Sequence, residues 1–156
     1  MVFQLFRTNA GVTLIELVVT LTILSILAMG IMPLSAISAK RAKEFELKRN
    51  LRTIRTALDA YKEKIDNGEI PKEAFSTGYP STLEILVEGV EIQGPVPYKV
   101  KFLRRLPKDP MTEDGKWGLR SYADDSDSSS WGGQDVYDVY SKSAKKALDG
   151  TYYKDW

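Results

Sequence analysis

Between Leu17 and Ala39 the chain carries no charged side chain, a run of 23 residues built mainly from Leu, Ile, Val and Met. At about 1.5 Å per helical residue such a run spans roughly 34 Å, enough to cross a hydrocarbon core. Few domains in a chain of 156 residues have the volume to bury a helix this long. Its polar members, Thr20, Thr22, Ser25, Ser35 and Ser38, can return their hydroxyls to the backbone. The run therefore reads as a membrane-capable helix. A secretory signal peptide is a poorer match, because its apolar core is about 7–15 residues long and its cleavage site follows that core. Here the run is longer, and the glycine that marks a boundary, Gly11, precedes it.

Composition removes most chemistry. With no cysteine and no histidine, disulfides, thiolate metal sites, thiol catalysis and the commonest general base are all excluded. Basic and acidic residues number 22 and 21, so the net charge of +1 gives no global attraction to nucleic acid. Carboxylates are the remaining catalytic candidates, but pairs such as Asp124 and Asp125 are neighbours in a serine-rich loop without fixed acid/base geometry. An enzyme is not expected.

Glu16 stands at the head of the apolar run, where an ionisable group is unfavourable by about 2–3 kcal/mol unless paired or at headgroup depth. The residues around it, Gly11-Val12-Thr13-Leu14-Ile15-Glu16-Leu17, resemble the leader junction of type IV pilins and type II secretion pseudopilins. The resemblance implies that a prepilin peptidase cuts after Gly11 and N-methylates Val12, leaving Glu16 as the fifth residue of the processed chain. Pro33 then falls at its twenty-second, where the class commonly carries a helix-disturbing proline. Val12 departs from the usual phenylalanine, and the leader has one basic residue, Arg7. Lys40, Arg41 and Lys43 after the span oppose the positive-inside tendency, so the cytoplasmic placement of the leader rests on the resemblance.

Past Ala39 the pattern turns amphipathic. Leu47, Leu51, Ile54, Leu58, Tyr61 and Ile65 recur at alternating spacings of 4 and 3, one stripe of a 3.6-residue helix. Nine cations and five carboxylates fill the rest of 40–66, and Asn67-Gly68 supplies a stop. The expected helix runs from Thr13 to Asp66, loosened by Gly30 and Pro33. Residues Gly30 to Ser35 are expected to be helical in the monomer and locally non-helical in a filament.

Residues 67–156 hold little apolar material and must lean on that stripe for a core. Tyr79 to Val87 reads as a short helix with Ser81 as N-cap and Glu84 closing a capping box, ended by Gly89. Leu103 to Pro110 must be extended or turned, and Trp117–Tyr122 and Asp135–Ser141 read as strands around an acidic, serine-rich loop. The aromatic residues Trp131, Tyr152, Tyr153 and Trp156 read as core plugs. The expected fold class is α+β: a long N-terminal helix, half transmembrane and half amphipathic, packed on a small antiparallel sheet with a short second helix. The divisions are a cleaved leader (1–11), a transmembrane and assembly helix (12–39), its amphipathic half (40–66) and a globular head (67–156).

The order of these head segments, from YPSTLEIL through LRRLPKDPMTEDGKW to the closing DVYDVYSKSAKKALDGTYYKDW, is similar to the major, G-type pseudopilins. Many members bind calcium after the last strand, which makes Asp138, Ser141 and Asp149 weak candidate ligands. Lys145 and Lys146 stand where an acidic ligand would be expected, so no metal or other cofactor is assigned. Asp124, Asp125 and Asp127 form an alternative oxygen cluster, or simply a solvated loop.

The resemblance implies a structural subunit of a type II secretion pseudopilus, with type IV pilin as the alternative; the lack of cysteine weighs against pilins closed by a disulfide. It implies a single-pass protein of the bacterial inner membrane, its head in the periplasm, polymerising with copies of itself. Its partners would be prepilin peptidase, minor pseudopilins, the inner-membrane assembly platform and a secretion ATPase, with no nucleic acid among them. Glu16, Gly30 and Pro33 would serve assembly, Glu16 by pairing with the amino terminus of a neighbour's Val12.

Overall fold

The computed structural model describes residues 11–72, 76–92 and 98–156, with the backbone alone described at 30–34. Most of the expected leader, Arg7 included, lies outside the described residues, as do the surroundings of Gly30 and the side chain of Pro33. The chain divides after Ala39 into two compact units. Helix α1 spans Leu14–Asp66, so the backbone is helical through Gly30 and Pro33 as expected for the monomer.

In the first unit the large side chains Leu14, Ile15, Leu17, Leu21, Leu24, Ile26, Leu27 and Met29 are all exposed. The hydroxyls of Thr20, Thr22 and Ser25 donate to the carbonyls of Leu17, Val18 and Leu21 at 2.9, 2.7 and 2.8 Å, which spares the helix unpaired polar groups. Among the described residues no helix is long and apolar enough to cross a membrane. The 23-residue uncharged run includes 30–34, whose side chains are not described, so its continuous described part is Leu17–Met29.

The second unit, Lys40–Trp156, is built around the amphipathic part of α1. Leu47, Leu51, Ile54, Leu58, Tyr61 and Ile65 are all buried, as their spacing predicts. They meet Leu83, Leu86, Ile92, Leu103, Trp117, Val136, Val139, Ala147 and Tyr153 in one core. The helix stops at Gly68, whose φ of +73° suits glycine, while the amide of Glu69 reaches back to the carbonyl of Lys64 at 3.0 Å.

Helix α2 is Glu84–Glu88, and β1 (Val90–Ile92) pairs antiparallel with β2 (Tyr98–Val100). Strand β3 (Trp117–Arg120) pairs antiparallel with β4 (Asp138–Ser141), Gly118 facing Tyr140 and Arg120 facing Asp138. A 3-10 turn at Tyr153–Asp155 follows. The α+β class holds, with two differences in detail. The described strands form two two-stranded sheets. The Ser81 capping box does not form: α2 starts at Glu84 and its N-cap, Leu83, makes no side-chain cap bond. Pro80, whose carbonyl takes the Val136 amide at 2.7 Å, holds the preceding segment against the chain before β4 instead.

Arg120 and Tyr140 lock the second sheet. The ring of Tyr140 lies across Gly118, and the Arg120 guanidinium stacks on that ring at 4.2 Å. The Tyr140 hydroxyl donates to Ser129 O at 3.0 Å and Arg120 Nε to Ser128 O at 3.0 Å, which pins the serine-rich loop. Of the aromatic residues expected as plugs, Tyr153 is buried and Trp156 packs edge-on against it at 5.2 Å. Trp131 and Tyr152 instead keep about two fifths of their surface exposed.

Candidate functional site

The N-terminal junction is assembled by the start of α1. Thr13 precedes the first helical residue; its carbonyl accepts the Leu17 amide at 3.0 Å and its Oγ1 accepts the Glu16 amide at 3.2 Å. That is the side-chain half of a Thr-x-x-Glu capping pattern, a signal legible at Thr13 and Glu16 that the junction reading passes over. Glu16 therefore sits in the first helical turn, where the positive end of the helix dipole favours a carboxylate by about 0.3–1 kcal/mol. It is exposed, on a surface otherwise occupied by Leu14, Ile15 and Leu17.

Gly11 is informative for what the fold does not ask of it. A Cβ built there would meet nothing within 4 Å, and its φ lies outside the range that favours glycine. No feature of the described structure requires glycine at this position. Gly11 and Val12 are both exposed, Val12 to 71%. The structure thus brings Gly11, Val12 and Glu16 together on one accessible segment.

The calcium candidates are dispersed by contrast. Asp138 and Ser141 stand at the two ends of β4, three residues apart, so they lie about 10 Å from each other along the strand and on opposite faces. The Asp138 carboxylate is held by Arg55, through Nε at 2.7 Å and Nη2 at 3.2 Å, with Arg120 at 3.7 Å. Ser141 Oγ donates to Asp109 Oδ2 at 2.7 Å inside the core. Asp149 accepts from the amide and hydroxyl of Thr151 at 3.0 and 2.6 Å, bonds that hold its pKa below the ordinary carboxylate value. Among the described residues no group of three or more carboxylates is placed to hold a metal ion. Asp124 braces its loop by accepting the amides of Ser121 and Gly132 at 2.7 and 3.0 Å, and these donors lower its pKa.

Two further residues fasten the end of the chain to α1 and were not read from the sequence. Glu44 Oε1 accepts the Leu148 amide at 2.8 Å and the Tyr153 hydroxyl at 2.9 Å. Arg55, besides holding Asp138, donates to the backbone oxygens of Val139 and Trp156 at 3.3 and 2.8 Å. Both sit in the charged background of 40–66, where no spacing distinguishes them from solvated residues.

Residues 6–32 match the prokaryotic N-terminal methylation motif, which spans the Gly11–Val12 junction, Glu16 and most of the apolar run. The match supports a type IV pilin-like precursor, of the kind processed by prepilin peptidase, anchored by its N-terminal helix and able to polymerise. No curated protein and no solved structure matches the chain.

Proposed function

We propose that the chain is a structural subunit of a type II secretion pseudopilus, made as a precursor, cut after Gly11 and N-methylated on Val12. The observation that carries this reading is the junction itself: a methylation motif over an exposed peptide bond, with a glycine for which the fold has no use. The apolar part of α1 supports it further. Isolated large apolar residues on a surface are ordinary, but a helix exposing them in near-continuous succession needs a cover. Lipid of the inner membrane covers it before assembly, and the same helices of neighbouring copies cover it afterwards. Glu16 then changes partner, from water and headgroups to the methylated amino terminus of an adjacent Val12, which ties release from lipid to formation of the fibre.

The order of the head segments and the cysteine-free sequence favour the pseudopilus over a type IV pilus for adhesion, motility or DNA uptake. The proposed role is mechanical rather than catalytic: the head faces the periplasm, and work comes from a secretion ATPase acting through the assembly platform. The test is processing of the full chain co-expressed with a prepilin peptidase. Mass spectrometry should find a product beginning with N-methylated Val12, and Gly11 replaced by a bulky residue should leave the precursor uncut in the membrane. A product starting at Met1, or one cut after the apolar run, overturns the reading. Reconstitution with a secretin and minor pseudopilins, against reconstitution with a retraction ATPase, separates the two kinds of fibre.

A further inference from the structure

Arg41, Phe45, Lys48, Arg52 and Arg55 follow one another at spacings of 4, 3, 4 and 3, which places them within an arc of about 80° on α1. The arc flanks the buried stripe, and Phe45 on it is 74% exposed. Arg41 and Arg52 have no ion-pair partner among the described residues. Lys48 Nζ rests over the Trp156 ring at 4.2 Å, and Arg55 is matched by Asp138. A groove of about 460 Å³ opens here between Lys48, Arg52, Arg55 and Trp156, with Asp59 the one acidic side chain among the described residues that line it. The stripe thus offers unmatched positive charge beside apolar surface.

The opposite surface exists on the same chain. In the loop 123–130, Asp124 is spent on bracing, while the carboxylates of Asp125 and Asp127 are exposed and have no partner among the described residues. The bonds from Arg120 to Ser128 O and from Tyr140 to Ser129 O hold that loop in place, so little ordering is lost when it docks. Within one copy neither Arg41 nor Arg52 pairs with a carboxylate of the loop among the described residues. We propose that the stripe Arg41–Arg55 is the docking surface for the acidic loop 123–130 of a second copy of this chain. The inference rests on the polymerisation reading above and adds to it a lateral contact that sets which face of one head meets the next.

The cysteine-free sequence makes the test direct. Full chains carrying Phe45→Cys in the stripe and differently tagged full chains carrying Ser126→Cys in the loop, both exposed positions that leave every charge in place, are assembled together and mildly oxidised. With one cysteine on each chain, a mixed dimer reports only an intermolecular contact. Its yield should exceed by about tenfold that of Glu46→Cys with Ser126→Cys, a ratio in keeping with charge pairs across interfaces. Glu46 is exposed but lies about 140° around the helix from the stripe. Raising salt to 1 M, which shrinks the screening length to about 3 Å, should remove most of that excess. Val18→Cys on the apolar helix reads polymerisation separately. Dimers through Val18 without Phe45–Ser126 dimers overturn the docking surface and leave polymerisation standing, while absence of both removes the two together. As a second readout, Arg52→Asp and Asp127→Arg should each lower the assembled yield, and the double variant should recover it. Loss of binding to phosphatidylglycerol vesicles by Arg52→Asp, with no mixed dimer, would assign the stripe to lipid phosphate and refute the proposal.

Discussion

Gly118→Ala should unfold the second sheet out of proportion to the single methyl it adds. A Cβ at Gly118 would stand 2.3 Å from Cζ of Tyr140 and 2.5 Å from Cε1 and Cε2. Ordinary carbon contacts begin near 3.5 Å, so the ring must retreat by about 1.2 Å or more. It is not free to do so: the Arg120 guanidinium covers it at 4.2 Å, and its hydroxyl is bonded to Ser129 O at 3.0 Å. Overpacking of this kind is destabilising by about 1–3 kcal/mol, and loss of the hydroxyl bond adds about 0.5–1.5 kcal/mol. The total, about 2–4 kcal/mol, corresponds to a fall in Tm of roughly 8–16 °C for a unit of this size. Thermal unfolding of the full chain in detergent, followed by near-ultraviolet circular dichroism of the neighbouring Trp117, reads it. Tyr140→Ala removes the obstruction, so Gly118→Ala in that background should add less than about 0.5 kcal/mol. If the two substitutions simply add, the ring is not what excludes a side chain from position 118.

Glu16→Ala should leave processing and membrane insertion near wild type but abolish assembled fibre, measured by mass spectrometry and by sedimentation; undiminished assembly would mean the carboxylate acts only in the first helical turn. Burial and the adjacent Glu44 push the Tyr153 hydroxyl up to about 12, above its ordinary value of 10. The protonated hydroxyl is therefore favoured by folding, and the stability it brings is complete below pH 10 and lost as pH rises towards 12. Tyr153→Phe should flatten that alkaline limb in a series of urea midpoints. Pro33→Ala restores an amide donor to the carbonyl of Met29 and should impair fibre assembly more than membrane insertion; regular helical density through Pro33 in an image of the fibre would refute the idea that 30–35 unwinds there.

The buried stripe from Leu47 to Ile65 was legible because one periodicity runs through it without interruption, and so was the stop at Gly68, where composition and turn geometry agree. The hairpin of β1 and β2 was not. Each strand is three residues long, too short for alternation to register, and Gly94, Pro95 and Pro97 between them read only as a breaker. Ser81 shows the reverse failure, a sound local capping pattern overridden by the bond that Pro80 makes to Val136. At the junction, Gly11 and Glu16 were readable from spacing, but the exposure that makes Gly11 dispensable to the fold needed coordinates. Register was not legible either: Asp138 and Ser141 are close in sequence, yet a strand sends them to opposite faces.

The clasp of Glu44 on Tyr153 joins residues 109 apart in sequence, and that of Arg55 on Asp138 joins residues 83 apart. A growing polypeptide exposes its helix stripe to solvent long before Val136, Val139 and Tyr153 have been synthesised to cover it. Contacts of such long range close slowly and late. During that interval the nascent chain is a target for chaperones and proteases, and a product truncated before Tyr153 remains one permanently. Val136, Val139 and Tyr153 thus act as a late cover, whose arrival closes the stripe against degradation.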